Sequence, residues 1–388
     1  MSPAADPLLA AARSAFDLVS GTTSARLGLA HLSSLIGEDR LPRDLRRLVV
    51  APEPLSWREV ERTLKSAWGR SPGKVLGDID HVPAAVTPAA QVHRGEDEDG
   101  AAVAVKVRRP GLAEILRSDL VLVDAAAGAF GAILPALDLQ AIVAEIRERL
   151  LDELDLEYEA ATQRRFARAF RDHPRLHVPA PRTELCEEAV LVSDWVDGTT
   201  IRRLGAEGDA DARVAAAEAL VEFFVLAAAE VGVAIADPHP DDALLMDDGR
   251  LAVVDFGAAR EVSRAQVAHA RAILTAFAEG DAIALAAVLD ATSWLPRATE
   301  SDARQGLEIA DDLLGEVLRG DAPLTAAALE EAGRGLGRHR EVIAAQAGRS
   351  AVPPADLWPL RGAAQLALVL AHLEVQADWV AMARSRLG

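Results

Sequence analysis

The sequence predicts an α+β protein of two lobes, a small β-containing lobe over about 71–195 and a mainly helical lobe over about 196–388, preceded by a helical extension over 1–70. Three observations predict it. Apolar residues recur at helical spacing before residue 70 and again through most of the second half. Between residues 75 and 108 the period shortens to that of strands, in valine- and alanine-rich runs divided by an acidic turn. A second pair of short apolar runs flanks the tight turn Asp247-Asp248-Gly249.

In the extension, Leu8, Leu9, Ala12, Phe16 and Val19 keep one helical face. Residues 25–35 and 57–68 repeat the pattern, and Pro42, Pro52 and Pro54 break the stretch between them. Residues 91–94 and 101–107 flank GEDEDG (95–100) as a hairpin, which Pro110-Gly111 ends. A helix is expected over about 112–123. Residues 139–171 read as one long helix, because Ile142, Ile146, Leu150 and Leu154 hold one apolar face. A short strand over 189–195 leads into VDGTT, where Thr199 or Thr200 can cap a helix. Residues 211–232 are apolar on nearly all sides, the mark of a buried helix. Strands over 243–246 and 251–254 follow. From Gln266 onward the pattern is helical, punctuated by Pro296, Pro323, Pro353 and Pro354.

The chain has 388 residues, half of them hydrophobic, which is enough for a sizeable core and excludes a disordered chain or a disulfide-stapled miniprotein. Its 41 basic and 60 acidic residues give a net charge of −19, with no Lys/Arg run longer than two, so no nucleic-acid partner is expected. The single cysteine, Cys186, cannot form an internal disulfide and points to a reducing cytoplasm. The first residues lack a basic n-region and carry Asp6, so no signal peptide is expected. No apolar run reaches about 18 residues, so no transmembrane helix is expected either. The longest, Ala125–Leu137 and Gly362–Ala371, read as packed helices, and peripheral contact with the inner membrane face stays open. Of the 41 basic residues only Lys65, Lys74 and Lys106 are lysines, leaving 41 − 3 = 38 arginines. A chain so biased towards arginine keeps lysine where an ammonium is needed or by chance.

Three groups of residues carry the chemistry. The first is Lys106 in VAVKVRRPG (103–111). Strand alternation puts Ala104 and Lys106 on one face and Val103, Val105 and Val107 on the other. A lysine there either pairs with nucleotide phosphates or sits on a solvated strand face. The second is DELDLEYEA (152–160), which crowds Glu153, Asp155, Glu157 and Glu159 into two turns. It reads as a solvated acidic face, or as the source of a carboxylate that orients Lys106. The third is IADPHPDDALLMDDGRLAVVDFGAAR (235–260), where Asp237, Asp242 five residues on, and Asp255 of Asp-Phe-Gly follow the protein-kinase spacing. Such a set orients an attacking hydroxyl or water and holds the metal that bridges phosphates. Asp also favours turns, so a set of acidic turns is the plain alternative. His93 and His239 lack metal-ligand spacing and read as structural. Trp195, Trp294, Trp358 and Trp379 read as core. Arg108 and Arg109 read as solvated surface, with acidic lipid headgroups as the alternative.

These segments, in this order, resemble the UbiB/AarF family of atypical protein-kinase-like proteins, which is tied to ubiquinone biosynthesis. The resemblance covers about residues 20–260 and rests on PAAVTPAAQVHRG (83–95), VAVKVRRPG (103–111), ELDLEYEA (153–160), LVSDWVDG (191–198), ADPHPDD (236–242) and VVDFG (253–257). PHP in the catalytic loop and ExDxxxEA on the helix are its most specific motifs. The resemblance implies a protein-kinase-like two-lobed fold that binds ATP or ADP with Mg²⁺. Lys106 would meet the phosphates, with Glu153 as its ion-pair partner and Glu159 as the second acid of that motif. Asp237 would be the catalytic-loop acid, and Asp255, with Asp242, would hold Mg²⁺. Asp194 to Val196 would meet adenine, and the loop from Val86 through Thr87 to Ala90 would replace a Gly-rich phosphate loop. A lipid, a quinone precursor, a membrane surface or a protein is the further partner the resemblance implies.

The chain departs from the family pattern at three places. The N-terminal Lys-x-Gly-Gln motif, which in the family restrains protein-kinase activity, is Arg26-Leu27-Gly28-Leu29 here. The loop AxASIGQVH has Thr87, Pro88 and Ala90 at its Ala, Ser and Gly positions. Proline removes a backbone donor, and the Cβ of Ala90 restricts the turn. The catalytic loop ends in Pro240-Asp241-Asp242 instead of PGN, and a carboxylate at 242 still suits a hard cation. Three readings follow: an ATP-dependent kinase or ATPase, a nucleotide-binding pseudokinase that acts as a regulatory or scaffold module, and a small-molecule phosphotransferase.

Overall fold

The computed structural model describes residues 53–119 and 154–387. Most of the expected helical extension, Arg26-Leu27-Gly28-Leu29, Ala125–Leu137 and Glu153 lie outside the described residues. The chain divides into two compact units, residues 1–164 with 179–196 and residues 165–178 with 197–388. The strands are β1 Asp78–Ile79, β2 Ala85–Val86, β3 Ala90–Glu96, β4 Ala102–Arg108, β5 Leu176–His177, β6 Val190–Asp194, β7 Thr199–Thr200, β8 Val233–Ile235, β9 Ala243–Leu245, β10 Leu251–Val253 and β11 Ala259–Glu261.

The first unit is built on an antiparallel sheet in the order β1-β3-β4-β6, with β2 also on β3. Helix α1, Trp57–Trp68, opens where Glu59 accepts the backbone N–H of Ser56 at 2.9 Å and closes on Gly69, whose φ of 66° is left-handed. Alternation along β4 sorts its side chains as the sequence predicts. Val103, Val105 and Val107 are fully buried and pack with Val60 and Leu64 of α1 and with Val190 and Val192 of β6. Each such burial contributes about 1.5–3 kcal/mol. Lys106 faces the other way, in register with Leu191, and Leu191 packs with Leu156, Ala160 and Cys186. Burial pushes the Cys186 thiol up to about 11, so it stays protonated and unreactive.

Helix α2, Leu156–Ala169, covers that second face. Of the single helix expected over 139–171, the described part begins only at Leu156, because Leu154 and Asp155 are not helical, and residues 139–153 lie outside the described residues. Asp155 caps the start of α2, accepting the N–H groups of Glu157 and Tyr158 at 3.0 and 3.2 Å. Aspartate competes well for exposed N–H groups, so it begins a helix more readily than it continues one. The buried stripe of α2 is Leu156, Glu159, Ala160 and Gln163, an i, i+3, i+4, i+7 set that contains a carboxylate.

In the second unit one sheet runs β5-β10-β9-β7, and β8 pairs with β11. Thr200 caps helix α3, Ile201–Glu207, by accepting from Arg203 N. Helix α4, Ala210–Leu226, buries Phe223 and widens into a π-type turn, Ala227–Val231, that ends on Gly232 with φ 72°. Phe166, Phe170, Phe223 and Phe256 form one aromatic cluster, all at most 2 % exposed. Helices α5 Arg264–Glu279, α6 Ala282–Ala291, α7 Glu300–Leu318, α8 Ala326–Gly335, α9 Arg340–Ala347, α10 Pro354–Ala371 and α11 Trp379–Arg386 complete the unit. Among the described residues no helix is long and apolar enough to cross a membrane.

His93 is structural. Gln91 Oε1 accepts Leu55 N at 2.7 Å, which turns the Gln91 amide nitrogen towards His93 Nε2, also at 2.7 Å. The ring must therefore accept at Nε2 and donate from Nδ1 to the Asp80 carbonyl at 2.7 Å, which makes it neutral. Burial holds its pKa below the ordinary histidine value. A depressed pKa adds stability that is complete above the unfolded value and is lost as pH falls through about 6.5 towards the folded value. Denaturant unfolding of the wild-type chain is expected to show falling stability between pH 7.5 and 5.5, with a shallower slope in His93→Gln.

Candidate functional site

In the first unit, Lys106 and Glu159 meet as an ion pair. Lys106 Nζ donates to Glu159 Oε1 at 2.7 Å and Oε2 at 2.9 Å, with the side chains 15 % and 2 % exposed. The residue types explain the meeting. Period-two alternation turns Lys106 away from the valine face, and period 3.6 puts Glu159 on the buried stripe of α2. The sequence reading gave the ion-pair role to Glu153 and made Glu159 the second acid. The structure places Glu159 on the lysine, because α2 begins at Leu156 and Glu159 faces inward one turn later. Glu153 lies outside the described residues.

The loop from Val86 to Ala90 closes on itself. Thr87 N donates to Ala90 O at 2.8 Å, and Ala90 N donates to Thr87 Oγ1 at 3.0 Å. Pro88 has no N–H, so two of the loop's donors are held inside it and a third does not exist. Arg109 braces it from behind, Nε donating to Thr87 O at 3.2 Å and Nη2 to Glu53 O at 2.7 Å. Arg108 holds Glu188 at 3.0 Å and the Leu154 carbonyl. The two arginines read as solvated surface are thus ties within the unit, a role invisible while their partners lie far off in sequence. At the end of β6, Asp194 N donates to Ala180 O and Trp195 N to Ala102 O, each at 3.0 Å. The Asp194 carboxylate lies 2.9 Å from Arg182 Nη2, and Val196 is the last residue of the unit.

In the second unit the backbone gathers Asp237, Asp242 and Asp255. Ile235 of β8 pairs with Ala259 of β11, and Ala236 N donates to Ala258 O at 2.9 Å. Asp237 therefore leaves its strand beside the residues that follow Asp-Phe-Gly. The β9–β10 hairpin sets Ala243 opposite Val253, and Val254 N donates to the Asp242 carbonyl at 3.0 Å. Asp255 is thus one residue past a bond to Asp242. Its Oδ1 accepts Gly257 N at 3.0 Å, and Phe256 is anchored against Phe166 with ring centroids 4.8 Å apart.

Two arginines that the sequence reading missed hold this loop. Arg202 at the start of α3 donates from Nε to both oxygens of Asp241, at 3.0 and 2.9 Å, and from its backbone N to Pro240 O at 3.1 Å. Arg361 of α10 brings Nη2 to 2.8 Å from Asp237 Oδ1. The Thr200 cap gave a hint of Arg202, but nothing near Arg361 in sequence marks it. His239 lies within the same loop, its Nδ1 accepting Asp241 N at 3.3 Å while its carbonyl accepts Asp242 N at 3.1 Å.

The donor set fits magnesium. Among the described residues no group of three or more His, Cys, Asp or Glu forms a complete metal cage. Mg²⁺ takes one or two carboxylates, keeps several waters and shares substrate phosphates, which is what Asp242 and Asp255 on adjoining backbone can offer.

An antiparallel sheet with a buried Lys–Glu pair, together with a loop that gathers Asp237, Asp242 and Asp-Phe-Gly, defines a protein-kinase-like protein of the atypical kind. The chain belongs to the ABC1 atypical kinase-like domain family, whose model matches residues 49–289. It is 32 % identical over 221 residues to ACTIVITY OF BC1 COMPLEX KINASE 1, chloroplastic, of Arabidopsis thaliana, a match over 53 % of this chain and 30 % of that one. It is 31 % identical over 192 residues to the probable protein kinase UbiB of Aeromonas hydrophila subsp. hydrophila, covering 48 % of this chain and 35 % of the relative. The chain thus spans about a third of the length of these curated relatives. Its fold is similar to Rv3197 of Mycobacterium tuberculosis, solved as a complex with erythromycin, with a TM-score of 0.67 and 24 % identity over 85 % of this chain and 82 % of that one.

Breaking a buried pair leaves one charge uncompensated, which costs about 3–5 kcal/mol. Glu159→Gln is expected to lose stability of that order in urea unfolding. The double variant Lys106→Met/Glu159→Met is expected to regain most of it, because no buried charge is then left alone.

Proposed function

We propose that this chain is a Mg²⁺- and ATP-dependent phosphotransferase or ATPase of the UbiB/ABC1 kind, acting in quinone- or lipid-linked metabolism. The observation that carries this reading is the Lys106–Glu159 pair. A buried ion pair is a weak device for stability, since desolvation offsets much of its attraction. It is a good device for holding an ammonium at a fixed place, which phosphate binding requires.

Lys106 meets phosphate oxygens, and Glu159 keeps its ammonium oriented. The backbone at Val196 is the adenine contact. Asp255 and Asp242 hold Mg²⁺, which when bound neutralises charge on the phosphates. Asp237 orients the acceptor, a hydroxyl or a water. The acceptor oxygen bonds to the terminal phosphorus, and the bond from that phosphorus to the bridging oxygen breaks, its electron pair leaving with the nucleoside diphosphate. The acceptor proton passes to the Asp237 carboxylate and then to solvent. Catalysis of this kind is mostly positioning and electrostatics, so the carboxylate's place matters more than its basicity.

The closed Thr87–Ala90 loop favours a second reading, a pseudokinase that binds nucleotide and works as a regulatory or scaffold module. Its internal bonds occupy donors that a phosphate loop would offer. A lipid, a quinone precursor, a membrane surface or a protein is the further partner in either case.

Thermal-shift titration with Mg-ATP and Mg-ADP tests the proposal, run beside Lys106→Ala and Asp255→Ala. Ligand at a hundred times Kd stabilises the fold by about 2.7 kcal/mol. A magnesium-dependent shift that is lost in Asp255→Ala and weakened in Lys106→Ala, with ADP release from Mg-ATP, is the expected result. A shift without ADP release favours the pseudokinase. No shift with either nucleotide overturns both readings.

A further inference from the structure

We propose that Arg361, on a helix beyond the family-matched segment, is a positioning residue that sets the Asp237 carboxylate for phosphoryl transfer. The proposal deepens the nucleotide reading above and rests on it. In the H-R-D form of the kinase catalytic loop a basic residue precedes the aspartate. Here that position is Ala236, which is fully buried. A positive charge reaches Asp237 from α10, with Arg361 Nη2 at 2.8 Å from Oδ1.

The helix that carries Arg361 is seated rather than merely near. At its first turn Asp356 accepts from Gln266 Nε2 at 2.6 Å through one oxygen and from Trp294 Nε1 at 2.8 Å through the other. Next to Arg361, Gly362 lies against the backbone of β8. A Cβ built there would stand 2.2 Å from the Ile235 carbonyl oxygen, so only glycine admits this approach. Ile235 is two residues before Asp237, and the seat of the helix is therefore referenced to the catalytic loop itself.

The guanidinium is held from its other side as well. Trp358, one turn back on α10, lies under Arg361 with its ring centroid 5.4 Å from the guanidinium carbon. The same ring meets Arg260 at 5.5 Å, and Arg260 is a buried residue of β11, just past Asp-Phe-Gly. A planar guanidinium stacked on an aromatic ring loses little freedom when it binds a carboxylate. Arg260, Trp358 and Arg361 thus join the strand after Asp-Phe-Gly to the carboxylate of Asp237. The loop itself carries three acids, Asp237, Asp241 and Asp242. Asp241 is already met by Arg202, so the two arginines stand at different carboxylates.

The test is steady-state ADP release from Mg-ATP, with water as acceptor, by the full chain and by Arg361→Gln, Arg361→Lys, Asp237→Asn and Arg361→Gln/Asp237→Asn. A misplaced reacting group costs about 10- to 100-fold in rate. Arg361→Gln is expected to lose that much in kcat while KM for Mg-ATP stays within about twofold, because the residue does not bind nucleotide. Arg361→Lys is expected to recover part of the loss. In the Asp237→Asn background Arg361→Gln is expected to add nothing, since it acts only through that carboxylate. If Arg361→Gln unfolds, Arg361→Lys against Asp237→Asn carries the same comparison. A wild-type rate in Arg361→Gln, a raised rate, or additive losses in the double variant overturn this proposal alone. A wild-type chain that neither binds nor hydrolyses Mg-ATP overturns the nucleotide reading and this proposal with it. Binding without turnover leaves Asp237 no reaction to serve and overturns this proposal while sparing the nucleotide site.

Discussion

An ammonium and a carboxylate taken out of water must find each other, and much of the first unit is arranged so that Lys106 and Glu159 do. The sheet needs a strand whose alternate residues are valines, so that α1 can cover them, and this same alternation turns the lysine to the opposite face. That face then needs a cover with a carboxylate at one position and apolar groups at its neighbours. Helix α2 supplies it through Leu156, Glu159 and Ala160. Neither charge is tolerable there alone. The pair therefore ties the register of β4 to the rotation of α2 about its axis.

The second unit solves the opposite problem, several carboxylates in a short space. Asp237, Asp241, Asp242 and Asp255 come from a loop and a turn held together by two backbone bonds, Ala236 to Ala258 and Val254 to Asp242. Like charges so arranged repel unless cations or hydrogen-bond donors answer them. Arg202 answers Asp241, Arg361 answers Asp237, and the N–H of Gly257 answers Asp255. Phe256 supplies the apolar counterpart by fixing the turn to the aromatic cluster, so the polar end stands on a rigid base.

Much of this was legible in the sequence, for reasons specific to each part. The span 57–68 was readable as a helix because its apolar residues recur at helical spacing, and the structure ends it at a serine cap and a glycine stop. The valine alternation and the acidic turn gave the β3–β4 hairpin, and the spacing from Asp237 to Asp255 gave the loop and its turn. The sequence carried the helix through 154–155 because apolar spacing continues across Asp155, whereas its side chain caps the helix that starts at Leu156. The assignment of acids along DELDLEYEA depended on where that start falls, so Glu159 was named but given the secondary role. Arg202 and Arg361 were missed because an ion pair between distant residues leaves no periodic mark. Among 38 arginines nothing local distinguishes Arg361, and the Thr200 cap beside Arg202 marks a helix start and not an ion pair. The closed Thr87–Ala90 loop was half legible: the loss of a donor at Pro88 could be read, but the capture of Ala90 N by the threonine hydroxyl could not.

Gly362 lies beyond residue 289, past the segment that matches the family, yet it decides how closely a late helix can approach the strand that launches Asp237. The contact is backbone to backbone, so it is indifferent to side-chain chemistry and sensitive only to the presence of a Cβ. Any side chain at that position would have to push the helix or the strand aside, while every family motif stayed intact. The approach thus depends on one missing carbon, at a position outside the segment that the family model covers.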